Sequence, residues 1–206
     1  MGTRSCSSLM KKGLGIRRER TFGGVDRVAM GSRDPYHHQL PPIEDADLLV
    51  INAGVALGNV EDASSRERLL AHVGAGKPIL AMHAATSSFR AIPEWHGIVG
   101  GSWINGQSSH PPLGLAEVDV ISDHAIVAGP KSFELVDERY MALELVPTRT
   151  DLATHQEKGT THPLIWIRTS GGSTIVYDAL GHDAQSYASA EHRAIIKQAA
   201  RFLTSK

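Results

Sequence analysis

The sequence predicts an α/β fold built on a parallel sheet. Residues 48–51 and 78–82 are apolar runs of the length expected for buried strands. Between them, from about Asp62 to Val73, apolar residues recur with helical spacing, and the connections on both sides are short. Strand, helix, strand in this order is typical of a right-handed βαβ unit, in which the two strands run parallel.

Each element of this unit has a recognisable end. The strand at residues 48–51 follows two acidic residues and ends in a turn at Gly54. The helix has Leu69 and Val73 on its inner face, and Gly74 is suited to end it. These boundaries predict a compact unit with the carboxyl ends of both strands at the same edge of the sheet.

The second half of the chain predicts further strands and a closing helix. Residues 117–121 alternate between polar and apolar, and residues 163–168 and 173–178 form two apolar runs joined by a glycine-containing turn. Residues 148–161 are polar and are expected to form a connection. Residues 190–203 have the spacing of an amphipathic helix.

The composition fits a single domain over residues 1–206. The net charge of −1 gives no support for nucleic acid or an anionic membrane as a partner, and no apolar run is long enough to span a bilayer. The only cysteine, Cys6, excludes an internal disulfide, as is typical of cytoplasmic proteins. We therefore expect a cytoplasmic protein that acts on a small molecule.

Two of the eleven histidines lie at or shortly after the ends of predicted strands. His83 comes after residues 78–82, and His182, with Asp183 beside it, comes after residues 173–178. Ligands of open α/β sheets bind beyond the carboxyl ends of the strands. Histidine in such a position can transfer protons or bind a metal, or it can simply be hydrogen-bonded without any chemistry.

Other polar residues are expected to play no part in a site. His72, His155 and His192 are expected to lie on helix or loop surfaces, and Trp95 and Trp166 are expected to belong to the core. For the adjacent acids at positions 137 and 138, a solvated turn and a place in the site remain equal alternatives.

Five short motifs follow one another along the chain. They are His83-Ala84-Ala85-Thr86; Gly100-Gly101 followed by His110-Pro111; Asp123-His124 with Ile126 and Gly129; Asp137-Glu138 then Tyr140; and Ala179-Leu180-Gly181-His182-Asp183. In this order and at these spacings the sequence resembles the ThuA-like family, which is named for trehalose utilisation. The resemblance covers roughly residues 45–206.

The resemblance implies a class I glutamine amidotransferase-like fold, which is a flavodoxin-like three-layer sandwich around a mostly parallel sheet. In true amidotransferases a nucleophilic cysteine lies in the turn where His83 stands, and a histidine similar to His182 follows a late strand. Cys6 is far from that turn in the sequence. Hydrolysis of glutamine through a thioester is therefore not expected.

The N-terminal region departs from the family pattern. The family usually opens with a strand and a Gly-Gly turn, and residues 1–44 contain no recognisable equivalent. We expect an atypical, shortened N-terminus in which the first strand is missing, so that its neighbours face each other across a gap or pair anew.

One interpretation of the site is a metal centre. His83, His110 and His182 are expected to converge at the carboxyl edge of the sheet. Three imidazoles with a carboxylate suit zinc or another divalent ion. No pair of these histidines has a short ligand spacing, so the prediction depends on how the fold places them.

A second interpretation, which the resemblance supports, is acid/base chemistry on a sugar. The resemblance implies isomerisation or hydrolysis of trehalose or a keto-disaccharide, in a chain that forms homodimers, as this fold commonly does. The catalytic candidates are His83, His182, Asp183 and Glu138, and the sugar-binding candidates are Trp103, His110 and Tyr140. The alternative is a non-catalytic carbohydrate-binding or interaction module on the same fold.

Overall fold

The computed structural model describes residues 18–19, 28–31, 40–54 and 63–205. The strands in these ranges are β1 (Arg18–Glu19), β2 (Val28–Gly31), β3 (Leu48–Ile51), β4 (Ile79–Met82), β5 (Gly101–Ser102), β6 (Gly114–Val120), β7 (Ser132–Asp137), β8 (Glu144–Leu145), β9 (Thr150–Glu157), β10 (Thr160–Ser170) and β11 (Ser173–Asp178). The α-helices are α1 (Ala63–Gly74), α2 (Glu94–Val99) and α3 (Ala190–Thr204). Short 3-10 helices cover His83–Ser87, Ala125–Val127 and Ser186–Ala188.

Nine of the described strands form one mixed sheet in the order β1-β2-β3-β4-β11-β10-β9-β6-β7. The neighbours β2, β3, β4 and β11 are parallel, and the other pairs are antiparallel. Strands β5 and β8 pair separately. The predicted α/β fold class is confirmed, and the parallel strands carry the edge at which a site was expected.

The centre of the sheet is buried because other parts of the chain cover both of its faces. Every residue of β3 and β4 is buried, which explains their continuous apolar sequences. Trp166 stacks on Tyr177 with ring centroids 4.2 Å apart, and its indole N–H donates to the carbonyl of Val99. Trp95 is also buried, so both tryptophans belong to the core as predicted.

The expected connection at residues 148–161 is wrong. This stretch forms β9 and the beginning of β10, which pair as antiparallel neighbours. Residues 152–155 within β9 are buried, including the polar Thr154 and His155. The polar sequence concealed the strand, because its polar groups are covered by neighbouring elements rather than by water.

The described N-terminal strands join the sheet at one edge. Strand β2 pairs directly with β3 in parallel register, with Val28 opposite Leu48. The prediction of a missing first strand concerns residues that lie largely outside the described part of the chain. None of the described helices is long and apolar enough to cross a membrane.

Candidate functional site

The candidate site lies where β4 and β11 end side by side. These strands are parallel neighbours, with Met82 opposite Asp178, so the residues that follow them meet at one edge. His83 follows β4 and begins a 3-10 turn, and the loop after β11 carries His182. Between the two, Gly181 has φ +118°, and any side chain there would collide with the hydroxyl of Tyr187.

His83 is held in one orientation by its surroundings. Its φ of +47° is a backbone conformation that residues with a side chain seldom adopt, and its ring is almost wholly buried. Nδ1 lies 3.0 Å from the carbonyl oxygen of Ala179. A carbonyl can only accept, so Nδ1 carries the hydrogen and the neutral ring keeps its lone pair on Nε2. The hydroxyl of Tyr140, 3.0 Å from Nε2, can donate to that lone pair.

Burial controls the protonation of His83. Desolvation lowers its pKa below the usual value, although the carbonyl of Ala179 and the acids Asp137 and Glu138 act in the opposite direction. The neutral ring is therefore favoured around neutral pH, in the tautomer that points a lone pair into the site.

One carboxylate, that of Glu138, contacts three imidazoles. Its oxygens lie 3.1 Å from Nδ1 of His182, 3.5 Å from Nε2 of His110 and 3.6 Å from Nε2 of His83. We call these four residues the Glu138 cluster. The side chain of His83 is 5% exposed, while those of His110 and His182 are 35% and 38% exposed. The cluster thus has a buried floor and an open side.

Asp137 connects the parts of the site. It is wholly buried, and its carboxylate accepts hydrogen bonds from the backbone N–H groups of Glu138, Gly181 and His182 at 2.8, 2.8 and 3.2 Å. These bonds fix the end of β7 to the loop after β11. Asp137 is therefore a positioning residue, which the sequence left undecided because it does not show which distant amides a carboxylate meets.

Aromatic rings border the cluster. The ring of Tyr140 lies against Trp103 with centroids 4.9 Å apart, and Trp103 lies 5.9 Å from the ring of His110. His155 donates from Nε2 to the backbone carbonyl of Tyr140 at 3.0 Å and is fully buried. The predicted surface position of His155 is therefore wrong, because a polar strand buries it behind Tyr140.

Asp183, a predicted catalytic residue, lies beside the cluster, where its charge interacts with His182, and is not one of the four residues that define it. Its carboxylate accepts hydrogen bonds from the backbone and side-chain N–H groups of Gln185, at 2.7 and 3.2 Å. The hydrogen bond from the backbone N–H of Gln185 is the main reason why the pKa of Asp183 is lowered. This contact caps the turn that precedes the Ser186–Ala188 helix.

His192 is also buried, contrary to its predicted surface position. Its Nε2 lies 3.0 Å from a carboxylate oxygen of Asp178, and its Nδ1 lies 3.2 Å from the carbonyl of Ser186. Nδ1 also lies 3.0 Å from the hydroxyl of Ser186, which can accept as the carbonyl does, so both ring nitrogens can donate and the imidazolium is favoured. Burial alone would lower the pKa of His192, but the charge and hydrogen bond of Asp178 raise it overall.

The His192–Asp178 ion pair stabilises the loop that carries His182. Asp178 also accepts a hydrogen bond from the backbone N–H of Leu180 at 3.0 Å, so the pair anchors α3 to the loop that carries His182. His72 is the third histidine whose predicted surface position is wrong, since it is buried and bonds to the carbonyl of Pro78.

The cluster contains the atoms of a small ligand set. Nitrogens of His83 and His182 and an oxygen of Glu138 all lie within 4.8 Å of one another. Among the described residues these could hold a metal ion, and the same atoms could exchange protons with a substrate.

The model of the ThuA family, described as trehalose utilisation, matches residues 33–203. The fold is similar to a ThuA-like protein of Parabacteroides merdae, with a TM-score of 0.69 and 20% sequence identity, covering 88% of this chain and 79% of that one. It is also similar to a ThuA-like protein of Bacteroides uniformis, with a TM-score of 0.66 and 15% identity, covering 84% of this chain and 75% of that one. A third similar structure is a glutamine amidotransferase of Thermotoga maritima, with a TM-score of 0.50 and 11% identity, covering 80% of this chain and 81% of that one. No curated protein matches the sequence.

Proposed function

This chain belongs to the ThuA family, and we propose that it is an enzyme that acts on a sugar by acid/base chemistry at the Glu138 cluster. The observation that carries the proposal is the contact of one carboxylate with three imidazoles, two of which are open to solvent. Such groups can take up and return protons near neutral pH.

The proposed roles follow from the orientation of each group. His83 is the base, because its Nδ1–H is bound to Ala179 and its Nε2 lone pair faces the site. Glu138 and His182, with a carboxylate oxygen and a ring nitrogen 3.1 Å apart, form a pair that accepts a proton from one side and delivers it to the other. Tyr140 can donate to His83 or to a substrate oxygen.

The proposed substrate class is a trehalose-type or keto-disaccharide. Its support is the family description and the partly exposed ring of Trp103, which lies beside the cluster against the buried ring of Tyr140 and suits the apolar face of a sugar ring. A ketone makes the neighbouring C–H acidic, so a base as weak as imidazole can remove its proton. Isomerisation of a keto sugar begins from such a step. So does cleavage of its glycosidic bond by elimination, in which the electron pair expels the glycosidic oxygen, this oxygen takes up a proton, and water then adds to the double bond.

Glutamine hydrolysis is not part of the proposal. The turn after β4 carries His83, and the described part of the chain contains no cysteine that could form a thioester.

Incubation of the purified chain with trehalose and 3-ketotrehalose, followed by NMR, tests the proposal. We expect conversion of the keto sugar by the unaltered chain and by His124→Asn, a control histidine whose ring contacts Phe202 instead of the cluster. His83→Gln and Glu138→Gln should lose turnover by about 10²-fold or more. Sugar binding without turnover, unchanged in both variants, would instead indicate the non-catalytic binding module.

A further inference from the structure

We infer that the Glu138 cluster binds one divalent metal ion of the zinc type, through Nε2 of His83, Nδ1 of His182 and the carboxylate of Glu138. This inference rests on the proposed function, because it concerns the same site and names the group that would activate the sugar.

The spacing of the ligand atoms fits such an ion. Zinc binds nitrogen and oxygen at about 2.0–2.2 Å in tetrahedral sites, so two of its ligand atoms lie roughly 3.3 Å apart. The carboxylate of Glu138 lies 3.1 Å from Nδ1 of His182 and 3.6 Å from Nε2 of His83. The nitrogens of His83 and His182 lie within 4.8 Å of each other, so an ion bound between them would draw the two rings together.

The hydrogen-bond acceptors that meet in the cluster also favour a bound cation. Nδ1–H of His83 is committed to the carbonyl of Ala179, and Nδ1–H of His110 is committed to the carbonyl of Pro111 at 2.8 Å. In its neutral form the His110 ring therefore directs a lone pair at the carboxylate of Glu138, 3.5 Å away. The Nε2 of His83 also faces this carboxylate, at 3.6 Å, and accepts from the hydroxyl of Tyr140. Acceptors that face one another are stabilised by a positive charge between them, and a metal ion supplies it.

The surroundings of the ligands have the form of an outer coordination shell. Histidines that bind metals usually donate their other ring N–H to a carbonyl or carboxylate, as His83 does to Ala179. Asp137 fixes the backbone at both Glu138 and His182, so two ligands from distant parts of the chain share one support.

The open side of the cluster leaves room for chemistry. His110 stands there as a fourth ligand or as a proton acceptor, and the Tyr140 hydroxyl would turn from His83 toward a group bound to the ion. The ion would polarise the carbonyl of a keto sugar. The Nε2 of His83 would then be a ligand, so the neutral His110, whose Nε2 faces the cluster, would accept the C–H proton while the C–H electron pair moves toward the carbonyl oxygen.

Titration of the chelator-stripped full chain with Zn²⁺ in a calorimeter tests the inference, with Co²⁺ absorption as a second readout of ligand geometry. We expect saturation at about one ion per chain and an intense tetrahedral Co²⁺ spectrum. Glu138→Gln and His83→Gln should weaken binding by at least about 10-fold, whereas His124→Asn should bind like the unaltered chain.

Absence of saturable binding by the unaltered folded chain, or equal affinity in all variants, would overturn the inference. Melting curves identify any variant that fails to fold, and the Co²⁺ spectrum of the unaltered chain does not depend on the variants. Ion binding without sugar turnover would contradict the proposed function alone. Turnover that survives removal of all metal, in a chain that binds none, would contradict the metal site alone.

Discussion

The carboxylate of Asp137, at the end of β7, accepts a hydrogen bond from the backbone N–H of Gly181, which lies in the loop after β11. With the further bonds from the amides of Glu138 and His182, this contact joins two distant parts of the chain at the cluster. The site is therefore built on a carboxylate that is wholly buried.

Replacement Asp137→Asn should destabilise the protein and loosen the cluster. The amide group would turn one N–H donor toward backbone donors, and each buried donor left without a partner costs about 1–3 kcal/mol. We expect a lower free energy of unfolding in urea and reduced turnover. Asp123→Asn, on the exposed surface, is the matched control. Unchanged stability and turnover in Asp137→Asn would show that Asp137 does not position the cluster.

Replacement Tyr140→Phe should reduce turnover while preserving the fold. The variant keeps the ring against Trp103 but loses the hydroxyl that donates to His83. We expect turnover of the keto sugar to fall by about 10²-fold, with a loss of stability of no more than about 1.5 kcal/mol. Steady-state kinetics and urea unfolding measure the two effects. Full activity in this variant would show that the hydroxyl takes no part.

Replacement Trp103→Ala should weaken sugar binding. The indole ring is partly buried against the core and lies beside Tyr140 and His110. Loss of an aromatic contact worth about 1.4 kcal/mol corresponds to roughly tenfold weaker binding. Trp103→Phe, which keeps a ring, should recover part of the affinity. Calorimetry with the sugar measures both, and equal affinities would place the sugar elsewhere.

The His192–Asp178 pair should make stability depend on pH. The folded pKa of His192 is raised above the unfolded value of about 6.5, so its contribution is complete below about pH 6.5 and is lost as the pH rises through the folded pKa. Urea unfolding from about pH 6 to pH 9 should show this loss in the unaltered chain and not in His192→Gln.

The comparison between these two chains isolates His192 from other buried histidines. Burial lowers the pKa values of His72 and His155. Their protonation therefore lowers the free energy of unfolding as the pH falls, whereas deprotonation of His192 lowers it as the pH rises. Identical pH profiles for the unaltered chain and His192→Gln would show that the pair is not ionised in the folded state.

The sequence predicted the elements that local pattern determines. The helix expected from about Asp62 to Val73 is observed as α1, and the run before His83 is β4. Strand β9 was missed because its polar residues are buried by neighbouring strands, and alternation does not reveal this. The same reason applies to His155 and His192, whose partners come from other elements.

Of the site, the sequence could predict residue types and the sheet edge at which they gather. It could not predict that Asp183 turns to Gln185 or that Asp137 binds three amides, since both depend on the course of the loop after β11. The centre of the cluster at Glu138 likewise became visible only when β7 was placed in the sheet.

Proton transfer at the Glu138 cluster is tested most directly by exchange of the hydrogen next to the carbonyl of 3-ketotrehalose, followed by NMR in D₂O. The unaltered chain and His124→Asn should replace this hydrogen with deuterium at equal rates, and Glu138→Gln should be slower by about 10²-fold or more. An exchange rate in Glu138→Gln equal to that of the unaltered chain, or no enzyme-dependent exchange at all, would contradict the claim that the Glu138 cluster carries out proton transfer on a sugar.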